Sequence, residues 1–140
     1  MSVHLKSGRP DSVTTSLDCA TLLAQVPVLE GWIDTASQGP MPFIVLGDFN
    51  RRLIRPQDQV WAELDDGEPA NADLMAVIQD MPISFWDNTF PESIDHIVVD
   101  RPVVPWVDRT SFRHVTYRQA DKAVWEQLSD HSPIVIELWI

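Results

Sequence analysis

The chain has one cysteine, Cys19, in 140 residues, which excludes an intramolecular disulfide and any zinc site built from several cysteines. Long apolar runs are absent as well. No stretch is long enough to span a bilayer, and the first residues lack the apolar core of a secretory leader. These features leave the compartment open, with the cytoplasm compatible. Cations are scarce: ten Lys and Arg stand against 21 Asp and Glu, a formal net charge of -11. Such an excess argues against a generic polyanion-binding surface, which is normally basic overall. Glycine is sparse, with five in the chain, and none belongs to a phosphate-cradling loop. No Gly-x-Ser-x-Gly elbow occurs, so Ser129 and Ser132 beside His131 do not make a hydrolase triad. The segment after Asp48 lacks the oxygen ligands of a calcium loop.

What is present suits one α/β domain. At 44% hydrophobic content the chain can bury a real core, and no linker or composition break divides it, so residues 1–140 read as a single domain. Ser2 to Leu5 is a short extended segment, and a loop follows from Lys6 to about Thr15. A helix is expected from about Ser16 to Ala36, because Cys19, Leu22, Val26, Leu29 and Ile33 recur at alternating steps of three and four. Ser16 or Thr15 can cap it, and Pro27 should kink it. Phe43 to Leu46 is an apolar run without alternation, the mark of a strand covered on both faces. Arg51 to Ala70 reads as a polar loop with at most one helical turn. A short second helix is expected over about Ala72 to Gln79, with Leu74, Val77 and Ile78 inward. Residues 83–90 read as extended or irregular, and strands are expected at Ser93 to Val99, Phe112 to Arg118 and Ser132 to Ile140.

The polar residues at the strand ends carry the chemistry. Gly47, Asp48 and Asn50 terminate the central apolar run, and Asp48 and Asn50, two apart, project to one side if the strand continues. The same Asp-x-Asn pattern also suits a turn in which the side chains bond their own backbone. Asp95 and His96 lie within an apolar strand, where alternation sends them to opposite faces. Ser129-Asp130-His131-Ser132 precedes the last strand, where a tight turn can present an acid and an imidazole. A carboxylate that orients a histidine raises its basicity and fixes its tautomer, and Asp95 with His131 is the candidate pair. His96 and His114 read as structural. Lys6, Arg9, Arg51, Arg52 and Arg55, half of all Lys and Arg, flank two of these motifs as a local positive collar; ordinary solvated loop charges are the competing explanation. The six tryptophans read as core or interface, although Trp61 lies in the basic loop.

Four ordered segments, Val3-His4-Leu5-Lys6-Ser7-Gly8, Ile44-Val45-Leu46-Gly47-Asp48-Phe49-Asn50, Ser93-Ile94-Asp95-His96-Ile97 and Leu128-Ser129-Asp130-His131-Ser132-Pro133-Ile134, closely resemble motifs of the endonuclease/exonuclease/phosphatase superfamily, the DNase I-like fold. The resemblance implies an α/β fold corresponding to the C-terminal half of a four-layer sandwich, with a mixed sheet and helices on one face. It implies metal-dependent phosphodiester hydrolysis, with nuclease activity favoured by the basic collar. His131 would be the general base or phosphate-contacting imidazole, and Asp95 its orienting partner. Asp130 would sit at the divalent-metal site, and Asp48 would orient the attacking water or assist the metal. Asn50 would hold a phosphoryl oxygen, and His4 would donate to the developing charge. Lys6, Arg9, Arg51, Arg52 and Arg55 would contact a nucleic acid or another phosphodiester.

The resemblance starts at about Val3, and the family's N-terminal half, with its principal metal-ligating Glu, has no counterpart here. Mg2+, or Mn2+ in its place, is then expected to be weakly held, since magnesium retains several of its waters. One sheet with helices on one face would leave an apolar face open. Self-association as a homodimer is the expected cover, the second copy taking the place of the absent half. The alternative to an enzyme is a catalytically impaired or inactive half-domain that acts as an assembly module.

Overall fold

A computed structural model describes residues 1–7, 16–70, 72–78, 92–115, 118, 124, 127, 129 and 131–140. Arg9, Asp130 and the extended segment expected over 83–90 lie outside the described residues. The first helix, α1 (Leu17–Ser37), forms where the apolar periodicity placed it. Ser16 is its N-cap, its side chain accepting from the backbone N–H of Cys19 at 3.2 Å. Cys19, Leu22, Val26, Leu29 and Ile33 are all buried, and the helix continues through Pro27.

The main sheet has strand order β1-β2-β4-β3, with β1 (Ser2–His4), β2 (Ile44–Asp48), β3 (Leu74–Ala76) and β4 (Asp95–Asp100). β1 pairs parallel to β2, while β2 and β3 both pair antiparallel to β4, which makes the sheet mixed. Phe43 and Val45 face α1 and share its cluster with Phe49, Leu53, Val60 and Leu64. Trp32 meets Phe43 edge to face, with ring centroids 5.4 Å apart. The loop after Asn50 carries α2 (Gln59–Leu64), six residues capped by Asp58, which accepts from the N–H groups of Val60 and Trp61.

The second helix expected over Ala72 to Gln79 is not formed: Leu74–Ala76 is a strand. Ala, Leu and Met favour helix, but so short a helix is marginal on its own, and β4 offers a complete ladder instead. Leu74, Met75 and Ala76 pair with Asp100, Val99 and Val98, and Val77 N–H continues the contact to the Ile97 carbonyl at 2.9 Å. Gln79 lies outside the described residues.

A second, two-stranded sheet consists of β5 (Val107–His114) and β6 (Ile134–Leu138), running antiparallel. β5 starts earlier than the strand expected at Phe112, after a single 3-10 turn at Val104–Trp106. A register irregularity between Asp108 and Arg113 breaks the alternation that would have revealed its first half. Ile134, Ile136 and Leu138 pack with Val107 and Trp106 against Ile97, Val99, Val103 and Ile44, on the face of the main sheet opposite α1. The chain's own second sheet thus covers part of the face that was expected to need a second copy. Coverage is incomplete, because Leu46, at the end of the run expected to be buried on both faces, is 44% exposed.

Candidate active site

Gly47 decides how β1 meets β2. Its φ is +135° and a Cβ there would stand 2.1 Å from the Val3 carbonyl oxygen, so only glycine allows the close parallel pairing. That register sets His4 opposite Asp48, and the β2–β4 register sets Asp48 opposite Asp95. Three side chains from three strands therefore converge at one end of the sheet.

The Asp48 carboxylate is held by its own turn. Asn50, with φ +50°, donates from its backbone N–H to Asp48 Oδ1 at 2.7 Å and from Nδ2 to Asp48 Oδ2 at 2.7 Å. Asn tolerates this left-handed backbone better than most residues. Its Nδ2 also donates to the Leu5 carbonyl at 3.0 Å, tying β1 to the turn. The turn reading of Asp-x-Asn thus holds, and the turn sets the Asp48 carboxylate beside His4 and His131.

His131 enters from the turn before β6, where its N–H donates to Ser129 Oγ at 3.1 Å. Its Nδ1 lies 2.8 Å from Asp95 Oδ2. A carboxylate only accepts, so Nδ1 carries the proton and Nε2 is turned toward Asp48. Nε2 is 3.8 Å from Asp48 Oδ2, and His4 Nε2 approaches the same oxygen at 3.5 Å. Burial pushes the Asp95 carboxyl above its usual range, an effect partly offset by the hydrogen bond and charge of His131. Ser93 Oγ donates to the Asp95 carbonyl at 2.6 Å and steadies the strand entry.

His96 points the other way, as alternation requires. It is fully buried, its Nε2 2.8 Å from the Arg51 carbonyl and its ring edge-on to Phe49 at 5.7 Å. Burial lowers its pKa to about 4, so at neutral pH it donates from Nε2 as a neutral imidazole that holds the loop after Asn50.

The structure brings together Asp48, Asn50, Asp95, His131 and His4. It does not aim the described members of the positive collar at that group as free charges. Arg51 is buried and pairs with Asp58 at 2.6 Å, Arg52 is buried 3.1 Å from Glu92, Arg55 pairs with Glu92 at 2.6 Å, and Lys6 Nζ lies 3.1 Å from Asp18. Sequence reasoning missed Asp58, whose place just before an apolar helical turn is an N-cap signal, and Glu92, whose remoteness in the chain left no signal. It also passed over the Leu5 carbonyl, because a backbone acceptor leaves no mark in the residue letters.

A scan against protein families matches residues 9–131 to the Endonuclease/Exonuclease/phosphatase family. The chain belongs to this family. A search of curated proteins finds none that matches it. Membership suggests hydrolysis of phosphate esters of the phosphodiesterase, phosphatase or nuclease type, and the endonuclease/exonuclease/phosphatase family typically uses divalent metals. Asp48, Asp95 and His131 fit that requirement: each offers a ligand atom, and these atoms lie within 4.8 Å of one another. Two carboxylate oxygens and an imidazole suit a hard or borderline divalent ion. Among the described residues no helix is long and apolar enough to cross a membrane.

Proposed function

We propose that the chain hydrolyses phosphodiesters by attack of water on phosphorus, which breaks the P–O bond to one ester group and releases it as an alcohol that takes its proton from solvent. The observation that carries this reading is the Asp95–His131 pair at 2.8 Å, with Nε2 turned toward Asp48 Oδ2 at 3.8 Å. A water placed between those two atoms would give its proton to His131 Nε2, while the Asp95 carboxylate supports the imidazolium that forms. Asp48, held by Asn50, orients the same water through its remaining lone pairs. His4, mostly exposed at the rim, donates to a non-bridging phosphoryl oxygen as charge develops there. Mg2+ or Mn2+ would be held at Asp48 and at Asp130, the metal-site residue that the family resemblance implies, leaving His131 Nε2 to take the proton, and would supply Lewis-acid stabilisation of the phosphoryl oxygen.

The preference for a nucleic acid substrate rested on the positive collar. With Arg51, Arg52, Arg55 and Lys6 each beside a carboxylate, that support weakens, and the substrate class is phosphodiesters in general. The test is hydrolysis of bis(p-nitrophenyl) phosphate and of DNA with Mg2+ or Mn2+, with and without chelator. His131→Ala is expected to lower the rate about 10²–10⁴-fold, the contribution of a positioned base, and chelation to abolish it. Equal rates for the wild type, His131→Ala and Asp48→Asn would refute the reading and leave a non-catalytic assembly module as its replacement.

A further inference from the structure

Beside the reacting groups lies a cleft of about 420 Å³ between the main sheet and β6. Its walls are Leu46, Ile97, Val115, Pro133 and Ile134, and Asp95 and His131 belong to the same lining. Leu46 and Val115 are 44% and 49% exposed, so two large apolar side chains face solvent immediately next to the proposed base. None of the described residues that line the cleft is Lys or Arg. The volume falls within the range of small-molecule sites, which are mostly apolar with a few polar groups at one place.

We infer that this cleft takes an apolar alkyl or aryl group esterified to the phosphoryl group that His131 and Asp48 act upon. The assignment rests on the hydrolytic reading of the site given above. Continuity supports it: the cleft and the reacting groups share Asp95 and His131, so a phosphoryl group seated at His131 directs one of its ester substituents along Leu46 or Val115. Charge supports it as well. A polynucleotide strand would set further phosphates in a lining whose ionisable groups, among the described residues, are Asp95, His96 and His131, on a chain of net charge -11. An uncharged apolar substituent meets no such repulsion and removes Leu46 and Val115 from water.

The experiment uses n-alkyl phosphates from methyl to hexyl as probes, with binding to the full chain followed by calorimetry. Burial of a methylene is worth about 0.8 kcal/mol, or roughly fourfold in affinity when complete; in a cleft open on one side about two- to fourfold per methylene is expected. Leu46→Ser and Val115→Ser sit at exposed positions that the fold does not require to be apolar. Each is expected to flatten the dependence on chain length, so that hexyl phosphate loses more affinity than methyl phosphate. Equal binding of methyl and hexyl phosphates, or a chain-length dependence that survives both substitutions, overturns the assignment. Light scattering that shows a dimer dispersed by Val115→Ser, with no chain-length dependence, would give the cleft to a second copy and also overturn it. Hydrolysis of hexyl and ethyl p-nitrophenyl phosphate diesters separates the two readings. Chain-length-dependent binding without His131-dependent turnover defeats the hydrolytic reading alone, and His131-dependent turnover indifferent to chain length defeats the cleft assignment alone.

Discussion

Replacement of Gly47 by alanine should detach the first strand from the site. At φ +135° the new Cβ would stand 2.1 Å from the Val3 carbonyl oxygen and 3.1 Å from its carbonyl carbon. Both are backbone atoms, so no side chain can swing aside, and either the substituted residue remains strained or β1 withdraws. Strain at a positive φ costs on the order of 1–3 kcal/mol. Withdrawal gives up the burial of Leu5, which is 7% exposed and worth about 1.5–3 kcal/mol. It also breaks the Asn50 Nδ2 to Leu5 carbonyl bond, worth about 1 kcal/mol. The cheaper route sets the loss, so about 1–3 kcal/mol is expected, a large share of the roughly 5–15 kcal/mol typical of a domain. Urea unfolding is the assay; with a slope of about 2 kcal/mol/M the midpoint should fall by about 0.5–1.5 M. Because His4 is carried by β1, the variant should also lose whatever rate enhancement His4→Ala loses, and the double variant should lose no more. An unchanged midpoint together with protected amides in residues 2–5 would refute this account of the β1–β2 contact.

Other expectations follow from the same structure. Glu30 is buried on α1 against Asp34, and burial first, then the charges of Asp34, Asp66 and Glu63, raise its pKa from 4.5 to about 7. Between those values the folded chain keeps a proton the unfolded chain has released, so stability should fall as pH rises from about 4.5 to 7. Glu30→Gln should flatten this slope and stabilise the protein at pH 8; equal urea midpoint shifts in wild type and variant between pH 5 and pH 8 would count against it. His96 has the opposite sense. With its pKa lowered from 6.5 to about 4 it stays neutral in the fold, so stability should fall as pH drops through that window, and its ring proton resonances should not titrate above about pH 5. Phe49 is fully buried against His96, and Phe49→Ala should cost about 3–5 kcal/mol in urea unfolding; a loss below about 1 kcal/mol would show that the site collapses around the gap.

Much of the molecule was readable along the chain. The alternating three and four spacing of Cys19, Leu22, Val26, Leu29 and Ile33 defined α1, because a helix face repeats locally and needs no partner to be seen. The apolar runs at β2, β4 and β6 and the polar residues at their ends were equally local signals, and they pointed to Asp48, Asn50, Asp95 and His131 before any pairing was known. Three-dimensional packing decided the remainder. Leu74–Ala76 became a strand because β4 supplied an unfilled edge, overriding a weak helical preference. Arg52 and Arg55 turned from a presumed substrate collar into partners of Glu92, a residue remote from both in the chain. The His4–Asp48 contact depends on a parallel register between segments far apart in sequence, which Gly47 permits but does not announce. Spacing along a chain reveals which faces are apolar and which residue types can do chemistry. Which face finds which edge, and whose charge neutralises whose, is settled only when distant segments compete for the same neighbours.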